Sequence, residues 1–265
     1  MNAQELSNLR QIEDLNQRGG RTLSITDMIR AGTLSAQMAA YMFRAVARGA
    51  SVLTAAVPGG AGKSTLLANL LNFLPPGTRI ITTPDGAAIR ANLKKPPGGS
   101  PCFLVHEIGG GPYYAYIWER DVADFFRLAG SGRRIAACVH AETLKGLRGI
   151  LLSPHLGVQE NDFRNLDLIA FMSVCGEGAR VIRRVSSVCD SRARETPAGG
   201  RPQAHETVFQ WDRAQDAFSG LHDSERKSLS PYLDFIAELV SSDISLFEDV
   251  RERALAFYAR FEPPQ

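Results

Sequence analysis

The stretch "VLTAAVPGGAGKSTLLANLL" (52–71) concentrates the residue types that handle phosphate. Gly59, Gly60 and Gly62 are followed directly by Lys63, Ser64 and Thr65. Glycines let backbone N–H groups close around an anion, and a helix beginning at the lysine aims its N-terminal dipole at the same point. In such a loop Gly59, Gly60, Ala61 and Gly62 cradle the phosphates of a nucleotide. Lys63 reaches the β- and γ-phosphates, the Ser64 hydroxyl ligates Mg2+, and Thr65 adds to the same phosphate and metal contacts. The usual pattern, G-x-x-x-x-G-K-[ST], has glycine where this chain has Val57. Valine fits there provided the backbone stays extended, because only a positive φ demands glycine.

Nucleotide hydrolysis also needs a carboxylate at the end of an apolar strand, to orient water and help hold Mg2+ through a water. Glu107, closing "CFLVHE", answers that need, and Glu119 in "YYAYIWERD" is the competing candidate. Gly109-Gly110-Gly111-Pro112 before the tyrosine-rich run favours a helix there and ranks Glu107 first; on that helix Glu119 and Asp121 have an alternative reading as a solvated face. Asp85 follows a second β-rich run, "TRIITT". His140 closes "RRIAACVH", where it either reports the γ-phosphate or hydrogen-bonds under a helix cap. His106 is expected to face away from Glu107, since neighbouring side chains on a strand alternate. Arg180, Arg183 and Arg184 read as the solvated face of a hairpin.

The elements that must position these residues follow from pattern. "SVLTAAV", "TRIITT", "CFLVHEI" and "RRIAACVH" are short β-rich runs bounded by glycine and proline. A helix is expected after the first, in "STLLANLLNFL". Another begins near Pro112 and ends at Gly130, and a third lies in "ETLKGLRGILL". "NLKKPPGGSP" is a loop on composition. "LDLIAFMSV" and "ARVIRRVSSVCD" form an antiparallel hairpin, residues 191–206 a long loop, and "TVFQW" a last strand. Before the loop, "LSITDMIRAG" begins with a capping box at Ser24, and an amphipathic helix starts near Ser35. Ser230-Pro231 is expected to open the C-terminal helices. Strands alternating with helices describe an α/β sheet with a parallel centre, and in such sheets ligands sit at the carboxyl ends of the strands. The glycine loop, Asp85, Glu107 and His140 all fall at such ends.

With 265 residues, 44% of them hydrophobic, the chain has material for a full core. A formal net charge of +2 gives no electrostatic case for nucleic acid, and no nucleic-acid partner is expected. No apolar run reaches the roughly 18 residues a bilayer span requires, so no transmembrane segment is expected. Cys102, Cys138, Cys175 and Cys189 lack a C-x-x-C pairing and read as reduced core residues.

From about Ser24 to Asp190 the order of these motifs resembles the type II/type IV secretion-system ATPase superfamily, which includes pilus assembly and retraction motors. The glycine loop with its lead-in helices, "AGSGRRIAACVHAETLKGLRGIL" and the hairpin "LDLIAFMSVCGEGARVIRRVSSVCD" carry the resemblance. It implies a RecA-like P-loop NTPase core over residues 51–211, an N-terminal helical lead-in over 1–50 and a C-terminal helical element over 212–265. It further implies an ATPase using ATP and Mg2+, with Glu107 or Glu119 polarising the attacking water, Asp85 assisting and His140 sensing the γ-phosphate. The partners it implies are further copies of the chain, in a hexameric ring, and a membrane platform or secretion-machine protein, at a cytoplasmic location. Asp85 alone remains of the family's aspartate box, and Arg133 stands in place of the first histidine of its histidine box. A hydrolysis-poor, nucleotide-dependent binding module on the same fold is the alternative.

Overall fold

The computed structural model describes residues 1–16, 20–96, 99–177, 180–191, 204–221 and 223–261. Three helices lead in: α1 (Ala3–Glu13), α2 (Ile25–Arg30) and α3 (Ala36–Ala47). The expected capping box is present at α2, where the Asp27 backbone N–H bonds Ser24 Oγ and the Ser24 N–H bonds the Asp27 carboxylate. Then come β1 (Val52–Ala55), α4 (Lys63–Leu71), β2 (Ile80–Thr82), α5 (Gly86–Leu93), β3 (Cys102–Ile108), β4 (Tyr116–Ile117), α6 (Arg120–Gly130), β5 (Arg134–Val139), α7 (Leu144–Leu151) and α8 (Glu160–Phe163). The remainder is β6 (Leu168–Glu177), β7 (Arg180–Asp190), β8 (Glu206–Asp212), β9 (Ala217–Ser219), α9 (Asp223–Ser241) and α10 (Phe247–Arg260).

The strands form one mixed sheet in the order β2-β3-β5-β1-β6-β7-β8-β9, with β4 on β3. Pairing is parallel from β2 to β6 and antiparallel from β6 to β9. This is the α/β architecture expected of a P-loop core, with the expected hairpin as its antiparallel flank. The parallel strands are mostly apolar because both faces are covered, with His106 and Glu107 near the end of β3 as the main exceptions. Val52, Leu104, Ala136, Cys138 and Leu168 enter one apolar cluster, which includes side chains of α1, α3, α4, α9 and α10. Their sequence neighbours Leu53, Phe103, Ile135, Ala137 and Ile169 enter the other, with α6 and α7. The lead-in and C-terminal helices thus share one core with the sheet.

Several expectations are corrected. The run after Pro112 does not start a helix: Tyr116–Ile117 pairs with β3 as β4, and α6 begins only at Arg120. Pairing with the end of β3, beyond the Cys102–Leu104 stretch that β2 takes, wins there over helix propensity, which is a weak prior. Residues Gly86–Leu93 are helical because Asp85 caps them, so the loop of "NLKKPPGGSP" begins two residues later than composition suggests. Pro231 lies inside α9 rather than at its start. The carbonyl it leaves without an intrahelical partner belongs to Lys227, which is exposed to water. Most of the loop expected over 191–206 lies outside the described residues.

Candidate functional site

The glycine-rich loop joins β1 to α4. Gly60 and Gly62 take left-handed backbone conformations, φ 78° and 97°, and Gly62 is the N-cap of α4. A Cβ on Gly62 would also stand 3.1 Å from Met172 Cε. No side chain caps α4, so its first N–H groups are left for another acceptor. Val57 is not among the described non-glycine residues with positive φ, which is why valine is tolerated at a position usually given to glycine. Thr54 Oγ donates to the Lys63 carbonyl at 3.1 Å and ties the loop's end to β1.

Alternation along β3 sends Phe103 and Val105 to one face and Cys102 and Leu104 to the other. By that count Glu107 belongs on the α6 face, away from α4. A bulge between Val105 and Ile108 interrupts the register with β5. The N–H groups of His106 and Glu107 both point to the Ala115 carbonyl, at 2.9 and 3.4 Å. The extra residue shifts the parity, so Ile108 joins the α6 face while His106 and Glu107 both line the cavity. The expectation that His106 faces away from Glu107 is therefore corrected.

Lys63 and Glu107 are 7% and 6% exposed, and Lys63 Nζ lies 3.5 Å from Glu107 Oε2. Glu107 Oε1 is buried without a hydrogen-bond partner, with His140 Nε2 3.9 Å away. Burial pushes the Glu107 carboxyl above the ordinary range, against the opposing charges of Lys63 and His140. The other ring nitrogen of His140, Nδ1, is 3.1 Å from the Val57 carbonyl. One histidine thus spans the start of the loop and the buried carboxylate. Beneath the loop, burial pushes the Cys138 thiol up to about 12, with hydrogen bonds from Thr54 and Ser64 opposing.

A cavity of about 780 Å³ opens over this cluster. Gly59, Gly60, Ala61, Gly62, Lys63, Ser64, Thr65, Glu107 and His140 all line it. Asp85 and Glu119 are not brought to it. The exposed Asp85 carboxylate accepts the Ala88 N–H at 2.8 Å as the cap of α5. Glu119 is exposed at the N-cap position of α6, with φ 54° and ψ −135°. Sequence reasoning missed the lead-in wall of the cavity, formed by Leu15, Leu23 and Met28, and it missed Arg183, whose Nε donates to the Gly60 carbonyl at 2.8 Å. The hairpin arginines were expected on a solvated face, and Arg183 is exposed as expected, but its bond to the loop gives it a second place that the reading did not include. Distance in sequence hid it: nothing local marks Arg183 off from Arg184.

An α/β sheet with a glycine loop, a buried lysine and a buried strand-end carboxylate at one cavity defines the class of site. No family model matches the chain. Among curated proteins it is similar to the uncharacterised protein MJ0900 of Methanocaldococcus jannaschii, 22% identical over 274 residues, with 90% of this chain and 49% of the relative covered. The chain thus spans about half the length of the curated relative it matches. Among solved structures it is similar to the VirB11 ATPase of the Brucella suis type IV secretion system in complex with sulphate, at 18% identity and a TM-score of 0.45, covering 62% of this chain and 54% of that one. It is also similar to the Legionella pneumophila ATPase DotB, at 14% identity and a TM-score of 0.42, covering 82% of this chain and 63% of that one.

Proposed function

We propose that the chain is an ATP-binding, ATP-hydrolysing motor subunit of a secretion, pilus or conjugation machine. The observation that carries the reading is the buried Lys63–Glu107 pair, 3.5 Å apart, at the mouth of the glycine loop. The order of motifs, resembling that of the secretion-ATPase superfamily, supports the choice of machine. An entering triphosphate draws the Lys63 ammonium toward its β- and γ-phosphates. Glu107 then loses its counter-charge, and its unpartnered Oε1 accepts a hydrogen bond from the attacking water. Its upward-shifted carboxyl suits a general base more than an ordinary surface glutamate does.

Among the described residues no group of three or more His, Cys, Asp and Glu side chains gathers to hold a metal. The donors here, the Ser64 hydroxyl and Glu107 acting through a water, fit Mg2+ carried in by phosphate oxygens rather than by an all-protein cage. Bound there, Mg2+ would neutralise charge developing on the phosphates. Among the described residues no helix is long and apolar enough to cross a membrane. In this reading copies of the chain assemble as a ring at the cytoplasmic face and push on a docked membrane platform.

The test is steady-state phosphate release by the protein and by Glu107→Gln, with Mg-ATP binding and oligomeric state followed in parallel. The variant is expected to bind ATP and to lose about a hundredfold or more in turnover. Undiminished turnover would remove Glu107 from the chemistry. One observation favours a second reading, a nucleotide-gated binding module: Asp85 is engaged as a helix cap and Glu119 lies off the cavity, which leaves Glu107 without the family's usual acidic company. Tight ATP binding by an assembled ring with no turnover would select that reading.

A further inference from the structure

Arg183 stands on β7 opposite Val174 of β6, so the hairpin brings it from the antiparallel flank of the sheet to the loop after β1. Its Nε donates to the Gly60 carbonyl at 2.8 Å, and its Cδ lies 4.0 Å from where a Cβ on Gly62 would stand. It lines the same cavity as Lys63 and Glu107. Its neighbour Arg184 is fully engaged elsewhere, with Nε and Nη2 donating to the two carboxylate oxygens of Asp216 at 2.8 and 2.7 Å. Among the described residues no carboxylate pairs with Arg183. A guanidinium that uses Nε on a carbonyl keeps its Nη donors, and that planar fork matches phosphate oxygens.

We propose that Arg183 is a phosphate-binding residue supplied in cis: its Nε steadies the Gly60 carbonyl while its Nη groups take an oxygen of the terminal phosphate of a bound nucleoside triphosphate. The inference rests on the nucleotide reading of the loop and adds to it a residue that tells triphosphate from diphosphate. The β6–β7 hairpin then responds to the presence of the terminal phosphate through one side chain.

Arg183→Gln separates the two roles of the arginine, because a glutamine amide still donates toward Gly60 but carries no charge. Arg183 is exposed, so the substitution leaves the core intact. Affinities for Mg-ATP and Mg-ADP are measured by calorimetry on the wild type, Arg183→Gln, Arg183→Lys and Lys63→Ala. ATP affinity of Arg183→Gln is expected to fall roughly tenfold or more while its ADP affinity stays within about threefold, and Arg183→Lys to lie between it and the wild type. Equal losses for ATP and ADP would reduce Arg183 to a loop brace and overturn the proposal. Unchanged affinities, with Lys63→Ala still losing both nucleotides, would overturn it and leave the nucleotide reading standing. A wild type that binds neither nucleotide would overturn both.

Discussion

Several histidines and carboxylates here differ in how far burial moves their titration, and that sets the pH response of the chain at the level of single residues. His205 is partly buried, 5.0 Å from the Phe163 ring, with Nε2 2.7 Å from the Leu166 carbonyl. Burial holds its imidazole below the ordinary 6.5, against that hydrogen bond and the charge of Asp190. His106 is moved in the same direction, again chiefly by burial. A histidine depressed in the folded state binds fewer protons folded than unfolded. Its contribution is therefore present above the unfolded value and lost as pH falls through the folded one. Urea denaturation at about pH 7.5 and about pH 5.5 should show the wild type weaker at the acid value. His205→Gln, still able to donate to Leu166, should narrow that difference; an unchanged difference would assign the acid sensitivity to other groups. Glu107 is shifted upward and has the opposite sign, so the two kinds of group partly offset each other across mild acidity.

Between elements, α5 and α6 meet closely at Gly86. A Cβ on Gly86 would fall inside van der Waals contact with the Asp121 carboxylate. Arg90 on α5 pairs with Asp121 at 2.6 Å and with Asp124 at 3.3 Å on α6. Gly86→Ala should thus push the helices apart and cost about 1–3 kcal/mol, read as a lowered Tm with the α-helical signal retained. A variant as stable as the wild type would mean that Asp121 swings away at no cost. That close approach was invisible in the sequence, where Gly86 reads as a turn after Asp85, because the atom it must avoid comes from 35 positions on. The parallel strands were legible for the opposite reason: strands buried on both faces appear as short, mostly apolar runs bounded by glycine and proline. The loop was legible because its chemistry is local, down to a Val57 that is not among the described positive-φ residues. The bulge that carries Glu107 to Lys63 was not, since "VHEI" contains no glycine to announce it. Nor was β4, whose partner supplies the pairing, nor the early start of α9, where Pro231 imitates a helix opening.

On the scale of the whole molecule, the first and last helices are joined by a buried ion pair. Arg251 on α10 is 2% exposed; its Nε donates to Glu5 Oε2 on α1 at 2.8 Å, and its Nη1 donates to the Asn72 carbonyl at 2.9 Å. Removing one member leaves a charge buried without its counterpart. Arg251→Ala and Glu5→Ala should each cost about 3–5 kcal/mol in chemical denaturation. The double variant should cost less than the sum, since both remove the same interaction. Strict additivity would show that the pair does not act as a unit. The pair is also one of two fastenings of α1. Its members are 246 positions apart, and α1 is fastened a second time at β2 and the turn before it, where the Asn8 amide donates to the Thr78 carbonyl at 2.8 Å and the Gln11 amide to the Ile80 carbonyl at 3.0 Å. Ile12 and Leu15, on and just beyond α1, are part of the cavity wall. That wall therefore hangs from two tethers, one at the sheet and one at α10, and a ligand inside it rests on contacts that span nearly the whole described chain.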